Sequence, residues 1–112
     1  IKLDIEISEV DFGLKTLIPL GLIINEMITN SLKYAFKNIN EGKITVHLKV
    51  LEKESFEMII GDNGIGLSEK VASTGLGKKL IEIFVKQLKG DIKRMDQQGT
   101  IFKIKFKSID GL

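Results

Sequence analysis

The sequence has no cysteine, a single arginine and no long uninterrupted apolar run. Without cysteine, the chain can form neither disulfides nor thiolate metal sites. The most apolar stretch, residues 19–36, is interrupted by Glu26, Lys33 and two asparagines, so it falls short of the about 18 to 20 apolar residues of a membrane-spanning helix. The single arginine and the net charge of +2 argue against the clustered basic surface that nucleic-acid-binding domains use.

The composition is that of one soluble globular domain. Of the 112 residues, 43% are apolar and 29% are charged, which excludes both a disordered chain and a membrane-embedded one. The length suits a single core and leaves little room for a second domain. Because the sequence starts with Ile1 and shows no signal peptide, we expect residues 1–112 to be one domain of a longer protein.

Hydrophobic periodicity predicts five strands and two long helices. The predicted strands cover residues 1–7, 44–51, 55–62, 90–95 and 100–106, and the predicted helices cover residues 19–36 and 76–88. Pro19 suits the first turn of the first helix, because its missing N–H and fixed φ are tolerated there. Strands in one layer and helices in the other make a two-layer α/β sandwich, with a mixed five-stranded sheet and the helices on one face.

A narrow polar stripe runs along the first predicted helix. Glu26, Asn30 and Lys33 fall within an arc of about 60° on a helix that is otherwise largely apolar. The simplest interpretation is a solvated helix face with a weak attraction between Glu26 and Lys33. Asparagine is a poor helix former, however, and its amide oxygen is a suitable ligand for Mg²⁺. A stripe that lines a phosphate site is therefore the alternative.

Two glycine motifs follow. DNGIG, residues 62–66, places a carboxylate at the end of a strand, where Asp62 could accept from the exocyclic amine of adenine, although the motif taken alone favours an ordinary turn. STGLG, residues 73–77, precedes the second helix and could expose backbone N–H groups to an anion, or simply open that helix. Gly99 and Thr100 open the last strand, either as a turn or as support for a base.

The one histidine, His47, is expected on the polar side of its strand as neither a ligand nor an acceptor.

Taken in order, NEMITNSLKY, DNGIG, STGLG and GTIFKIKF resemble the ATP-binding catalytic domain of sensor histidine kinases. The resemblance covers nearly the whole chain. It implies the Bergerat fold that histidine kinases share with gyrase-like and chaperone-like ATPases. It also implies ATP and Mg²⁺ as ligands, and transfer of the γ-phosphoryl group to a histidine in a dimerisation domain of the same protein, with a response regulator downstream.

The resemblance implies a role for each residue that matches a family motif. Asn30 would bind Mg²⁺ and, with Glu26, serve the phosphoryl transfer. The residues implied in nucleotide binding are Asn30, Lys33, Tyr34, Asp62, Gly64, Gly66, Gly75, Leu76, Gly77 and Thr100. The segment between Leu67 and Thr74 would be the ATP lid, and it is short for the family.

Two further functions remain open. A stand-alone serine kinase of the anti-sigma type resembles this fold and size, and the short lid suits a nucleotide sensor without catalysis. We expect a cytoplasmic domain without nucleic-acid or membrane contact, and membrane anchoring of the parent protein is left open.

Overall fold

A computed structural model describes residues 1–65, 76–95 and 99–111, with the side chain of Leu76 outside that description. The elements follow the predicted order: β1 Lys2–Ile7, α1 Leu14–Asn30 with a π-helical turn at Ser31–Ala35, β2 Lys43–Glu52, β3 Ser55–Asp62, α2 Leu76–Gln87, β4 Asp91–Arg94 and β5 Thr100–Lys107. Among the described helices, none combines the length and the apolar character needed to cross a membrane.

The strands form one mixed sheet in the order β1-β2-β3-β5-β4. β1 pairs with β2 in parallel, and the other three pairings are antiparallel. Both helices contribute to a single core on one face of this sheet. Its buried members include Leu20, Ile23, Met27, Val46, Met58, Ile60, Val85, Leu88, Ile104 and Phe106. The prediction of a two-layer α/β sandwich with a mixed five-stranded sheet is confirmed.

Alternation of apolar and charged residues explains which face of β5 packs against the helices. In β5, Ile104 and Phe106 are buried against the helices while Lys105 and Lys107 are exposed. In the antiparallel register with β3, Ile104 lies opposite Met58, which is also fully buried. A strand with period-two alternation keeps one face dry in this way.

β1 departs from the expectation of a strand with only one wet face. Its apolar residues Leu3, Ile5 and Ile7 are 62%, 55% and 58% exposed, although their register with β2 points them toward the helix side. The reason is position: β1 is an edge strand, and no helix in residues 1–65 or 76–95 covers it.

Helix α1 begins at Leu14, so the prediction that it begins at Pro19 is wrong. The start is held by a side chain from the other end of the chain. The Gly13 and Thr16 N–H groups donate to the Asp110 carboxylate at 2.9 and 3.2 Å. Asp110 thus does the work of an N-cap residue, and its negative charge lies at the positive end of the helix. Pro19 lies inside the helix and is buried.

The segment before α1 is held by aromatic packing as well. The Phe12 ring meets Phe56 edge to face, with a centroid distance of 4.8 Å, and Phe56 stacks on Phe106 at 5.5 Å. Such pairs stabilise by about 0.5 to 1.5 kcal/mol beyond the area they bury. The aromatic contacts therefore fix the loop that leads into the helix.

We predict that Asp110→Ala lowers the melting temperature by several degrees, because Gly13 and Thr16 lose their acceptor. Partial burial raises the pKa of Asp110, but the hydrogen bonds from Gly13, Thr16 and Ser108 outweigh it and lower the pKa below the ordinary 3.8. A carboxyl with a lowered folded pKa stabilises the fold above its ordinary pKa, and this contribution is lost as the pH falls through the folded value.

Thermal unfolding of wild type and Asp110→Ala from pH 7 down to pH 3 measures this contribution. The difference between the two proteins should be largest at pH 7 and shrink toward pH 3. Asp11→Ala, an exposed carboxylate in the neighbouring loop, is the matched control and should melt like wild type. Equal melting of Asp110→Ala and wild type at pH 7 would contradict the capping role.

Candidate functional site

A buried carboxylate lies at the carboxyl end of β3. Asp62 is 3% exposed, and its two oxygens accept hydrogen bonds from the Ser31 hydroxyl at 2.6 Å and from the Gly64 N–H at 3.0 Å. Burying a carboxylate without such partners costs several kcal/mol. Since a carboxylate has about four acceptor positions, Asp62 can still accept from a further donor.

Ser31 was missed by the sequence analysis. It lies on the buried face of the first helix, four residues after Met27 and four before Ala35, and its own exposure is 6%. A hydroxyl in an otherwise apolar row at helical spacing needs a buried partner. That row was the signal that could have identified Ser31 from the sequence.

The helix changes its winding at this point. Residues Ser31–Ala35 form a π turn directly after α1. Such turns interrupt α-helices mostly as single turns and are frequent at functional sites. Lys33 and Tyr34 lie on the π turn and are exposed, Tyr34 at 46%. Because a π turn is wider than an α turn, the stripe predicted from α-helical spacing does not continue unchanged from Asn30 to Lys33.

The loop after Asp62 is fixed on both sides. The Asn63 side chain accepts from the Lys43 N–H at 2.7 Å and donates to the Glu41 carbonyl at 3.0 Å, which ties the loop to the start of β2. Gly64 is buried against Ala35, where any Cβ would overlap the Ala35 carbonyl. The Asn of the DNGIG motif is therefore structural, and Gly64 is needed for the close approach of the π turn.

Thr100 lies beside Asp62 on the neighbouring strand. The two residues are register partners in the β3–β5 pairing, and Thr100 is 5% exposed. The preceding Gly99 has a φ of 87° and lies against the Asp62 backbone, where a side chain would overlap the Asp62 carbonyl. The Gly-Thr pair thus begins β5 at the buried carboxylate.

The side chain of Glu26, on α1, contacts the start of α2. Its carboxylate occupies the space that a Cβ of Gly77 would fill, so the missing side chain lets the two helices meet there. Asn30, partly buried, follows Glu26 by one helical turn and directly precedes Ser31. It therefore lies on the helix between the contact with Gly77 and the contact with Asp62.

The structure gathers predicted residues that it describes at two contacts and leaves Lys33 and Tyr34 exposed on the π turn. Asp62, Gly64 and Thr100 meet at the sheet end, Glu26 meets Gly77, and Asn30 lies between these contacts. Gly66, Gly75, the side chain of Leu76 and the predicted lid lie outside the described residues. The roles assigned to all these residues stay predictions.

The sequence also matches known proteins. Residues 16–109 match the profile of the family described as histidine kinase-, DNA gyrase B- and HSP90-like ATPases. Blue-light-activated histidine kinase 2 of Erythrobacter litoralis is 26% identical over 108 residues, which cover 93% of this chain and 31% of the relative. The anti-sigma F factor of Clostridium novyi is 26% identical over an alignment of 119 positions, which covers 93% of this chain and 81% of that protein.

A solved structure has the same fold. The histidine kinase domain of the Erythrobacter litoralis EL346 blue-light-activated histidine kinase superimposes with a TM-score of 0.86 at 24% identity, over 96% of this chain and 51% of that one. This chain thus spans only part of the length of the histidine kinases it matches. Its sheet and helices form a Bergerat-type fold, and the chain belongs to the family of histidine kinase-, DNA gyrase B- and HSP90-like ATPases.

Proposed function

We propose that this chain is the ATP-binding catalytic domain of a two-component sensor histidine kinase. It transfers the γ-phosphoryl group of ATP to a histidine in a dimerisation domain of the same protein, which then serves a response regulator. Membership in an ATPase family supports the use of nucleotide. The observation that carries the proposal is the buried Asp62 carboxylate, held by Ser31 and Gly64 with capacity to accept one more donor.

Asp62 suits adenine for a chemical reason. An acceptor at the strand end meets the exocyclic amine of adenine, whereas guanine presents an oxygen at that position and leaves two acceptors facing each other. Thr100, which is buried beside Asp62, supports the base. A site built to hydrogen-bond a particular group rejects an analogue that lacks it, because its buried polar atoms are then left unpaired.

The residues present fit Mg²⁺ and a triphosphate. Asn30 offers an amide oxygen of the kind that Mg²⁺ accepts alongside water and phosphate oxygens. Gly77 at the start of α2, with Gly75 and Leu76 before it in the sequence, would border the phosphates, since a helix start favours anions. Lys33 and Tyr34 would contact phosphate or sugar from the π turn. When bound, Mg²⁺ neutralises charge on the phosphates.

Glu26 has a different task from the residues that bind phosphate. A carboxylate repels phosphate, and this one lies against Gly77 at the helix start. Such a position suits a group that orients the acceptor of the phosphoryl group or takes up its proton. Catalysis by this domain then consists of positioning and charge neutralisation.

A serine kinase of the anti-sigma type is the second candidate. The match to an anti-sigma F factor, which is 26% identical over 81% of that protein's length, favours it. Labelling of the full-length protein with radioactive ATP separates the two. Phosphohistidine is lost in acid and survives base, and phosphoserine does the opposite. Binding of ATP without label on this protein or on a separate protein offered as acceptor supports a nucleotide sensor instead.

We predict that Asp62→Asn weakens binding of a non-hydrolysable ATP analogue with Mg²⁺ by about ten- to a hundredfold. This corresponds to loss of a hydrogen bond to a charged group, about 1.5 to 3 kcal/mol. Isothermal titration measures the affinity, and Asp11→Asn, which removes an exposed carboxylate, should bind like wild type. An unchanged affinity of Asp62→Asn, with the melting temperature retained, removes Asp62 from the base site.

Ser31→Ala tests whether the hydroxyl acts through Asp62. We expect it to weaken nucleotide binding about three- to tenfold, because the carboxylate loses one of the donors that orient it. In the Asp62→Asn background the same substitution should have little further effect, since contacting residues are not additive. Full additivity in this double-mutant cycle contradicts the positioning role.

For Glu26→Gln we expect nearly unchanged nucleotide affinity and a reduced rate of phosphoryl transfer. The substitution removes the charge but keeps the shape, and the proposed role of Glu26 lies in the reaction rather than in binding. Single-turnover labelling of the full-length protein measures the rate, with titration as the check on binding. A loss of affinity equal to the loss of rate speaks against this division of roles.

A further inference from the structure

A second group of ligand-type side chains lies on the opposite face of the sheet. Asp4 and Glu6 are two residues apart on β1, so their side chains share one face. His47 of β2 is the register partner of Glu6 in the parallel pairing. These three residues face away from the helices, because the alternate residues Val46 and Leu48 are the ones buried in the core.

The three side chains converge closely. The Nε2 atom of His47 lies 3.1 Å from Oδ2 of Asp4 and 3.8 Å from Oε2 of Glu6, and one ligand atom from each residue can be chosen so that all lie within 4.8 Å of one another. In a tetrahedral zinc site with bonds of about 2.0 to 2.1 Å, ligand atoms are separated by about 3.3 to 3.4 Å. The 3.1 and 3.8 Å separations lie on either side of that value, and the third is at most 4.8 Å.

His47 supplies an independent indication. Its Nε2 atom is shielded from solvent and has no hydrogen-bond partner among the described residues, although a carboxylate oxygen lies 3.1 Å away. A short N···O distance without hydrogen-bond alignment is what two ligands of one central ion show, since each points at the ion and not at the other.

The charges around the cluster favour a cation. Asp4 and Glu6 bring two carboxylates to one imidazole. The nearby ammonium group of Lys49 lies 3.5 Å from the Glu57 carboxylate on β3 and is engaged there. The side chain of Glu57 is largely buried, so Lys49 is the cation that compensates this carboxylate.

We propose that Asp4, Glu6 and His47 bind a divalent transition-metal ion, with Zn²⁺ as the best match. Imidazole suits zinc, and carboxylate oxygens complete a three-ligand set with one open position. A cavity of about 400 Å³ beside the cluster, lined in part by Glu6, Ser8 and His47, leaves room for a water or another fourth ligand. The site is separate from the nucleotide site and does not depend on the proposed kinase activity.

Such an ion would tie the edge strand to the sheet. β1 pairs with β2 alone, and its apolar residues are exposed, so little else among the described residues holds it. Two ligands on β1 and one on β2 would bridge that single pairing. Zinc should therefore slow amide exchange in β1 specifically.

The test is a titration of the nucleotide-free chain with zinc chloride, followed by NMR. Because His47 is the only histidine, its imidazole resonances report this site without ambiguity. Zinc should shift those resonances saturably, protect β1 amides from exchange and raise the melting temperature. Magnesium chloride at the same concentration should leave the imidazole resonances unchanged.

Asp4→Asn and Glu6→Gln should each weaken zinc binding at least tenfold, since even outer-shell partners are worth about 10- to 100-fold in metal affinity. Asp91→Asn is the matched control, because it removes an exposed carboxylate from the opposite edge strand and should bind zinc like wild type. The proposal is overturned if the imidazole resonances do not respond to zinc, or if both β1 variants bind zinc as tightly as wild type.

Discussion

The hydrogen bond between Ser31 and Asp62 is the contact on which the arrangement of the site depends. It joins the end of the first helix to the end of β3 across the interior, over 31 residues of sequence. A carboxylate at this depth must be satisfied, and the satisfying groups come from different elements: a hydroxyl from the π turn and an N–H from the loop. The position of the helix end relative to the sheet follows from that requirement.

The π turn and Gly64 together position the loop that follows Asp62. A regular α-helix would carry the residues after Asn30 along a straight path, whereas the wider turn places the Ala35 carbonyl where the Ile65 N–H can donate to it at 2.9 Å. That contact is possible only because Gly64 has no side chain. The loop that follows the carboxylate is consequently built against the helix, which fixes the base end of the proposed nucleotide site.

Elements with strong periodicity could be predicted from the sequence, and features fixed by distant contacts could not. β3 was predicted with its observed bounds, because turn residues flank a clear apolar run. The beginning of α1 was wrong by five residues, since its cap comes from Asp110, 97 residues from Gly13. The place of Asp62 at the end of its strand could be predicted from its motif. The partner of Ser31 and the neighbours of His47 depend on helix phase and strand register, which local patterns do not determine.

The cap at Asp110 also affects when the domain can finish folding during synthesis. During synthesis the helix emerges from the ribosome long before the residue that completes its first turn, so its amino end stays without that acceptor until position 110 has been added. Folding of this layer is therefore expected to finish late rather than to advance steadily from the amino terminus. A nascent chain halted shortly before that position would lack the acceptor of the Gly13 and Thr16 N–H groups.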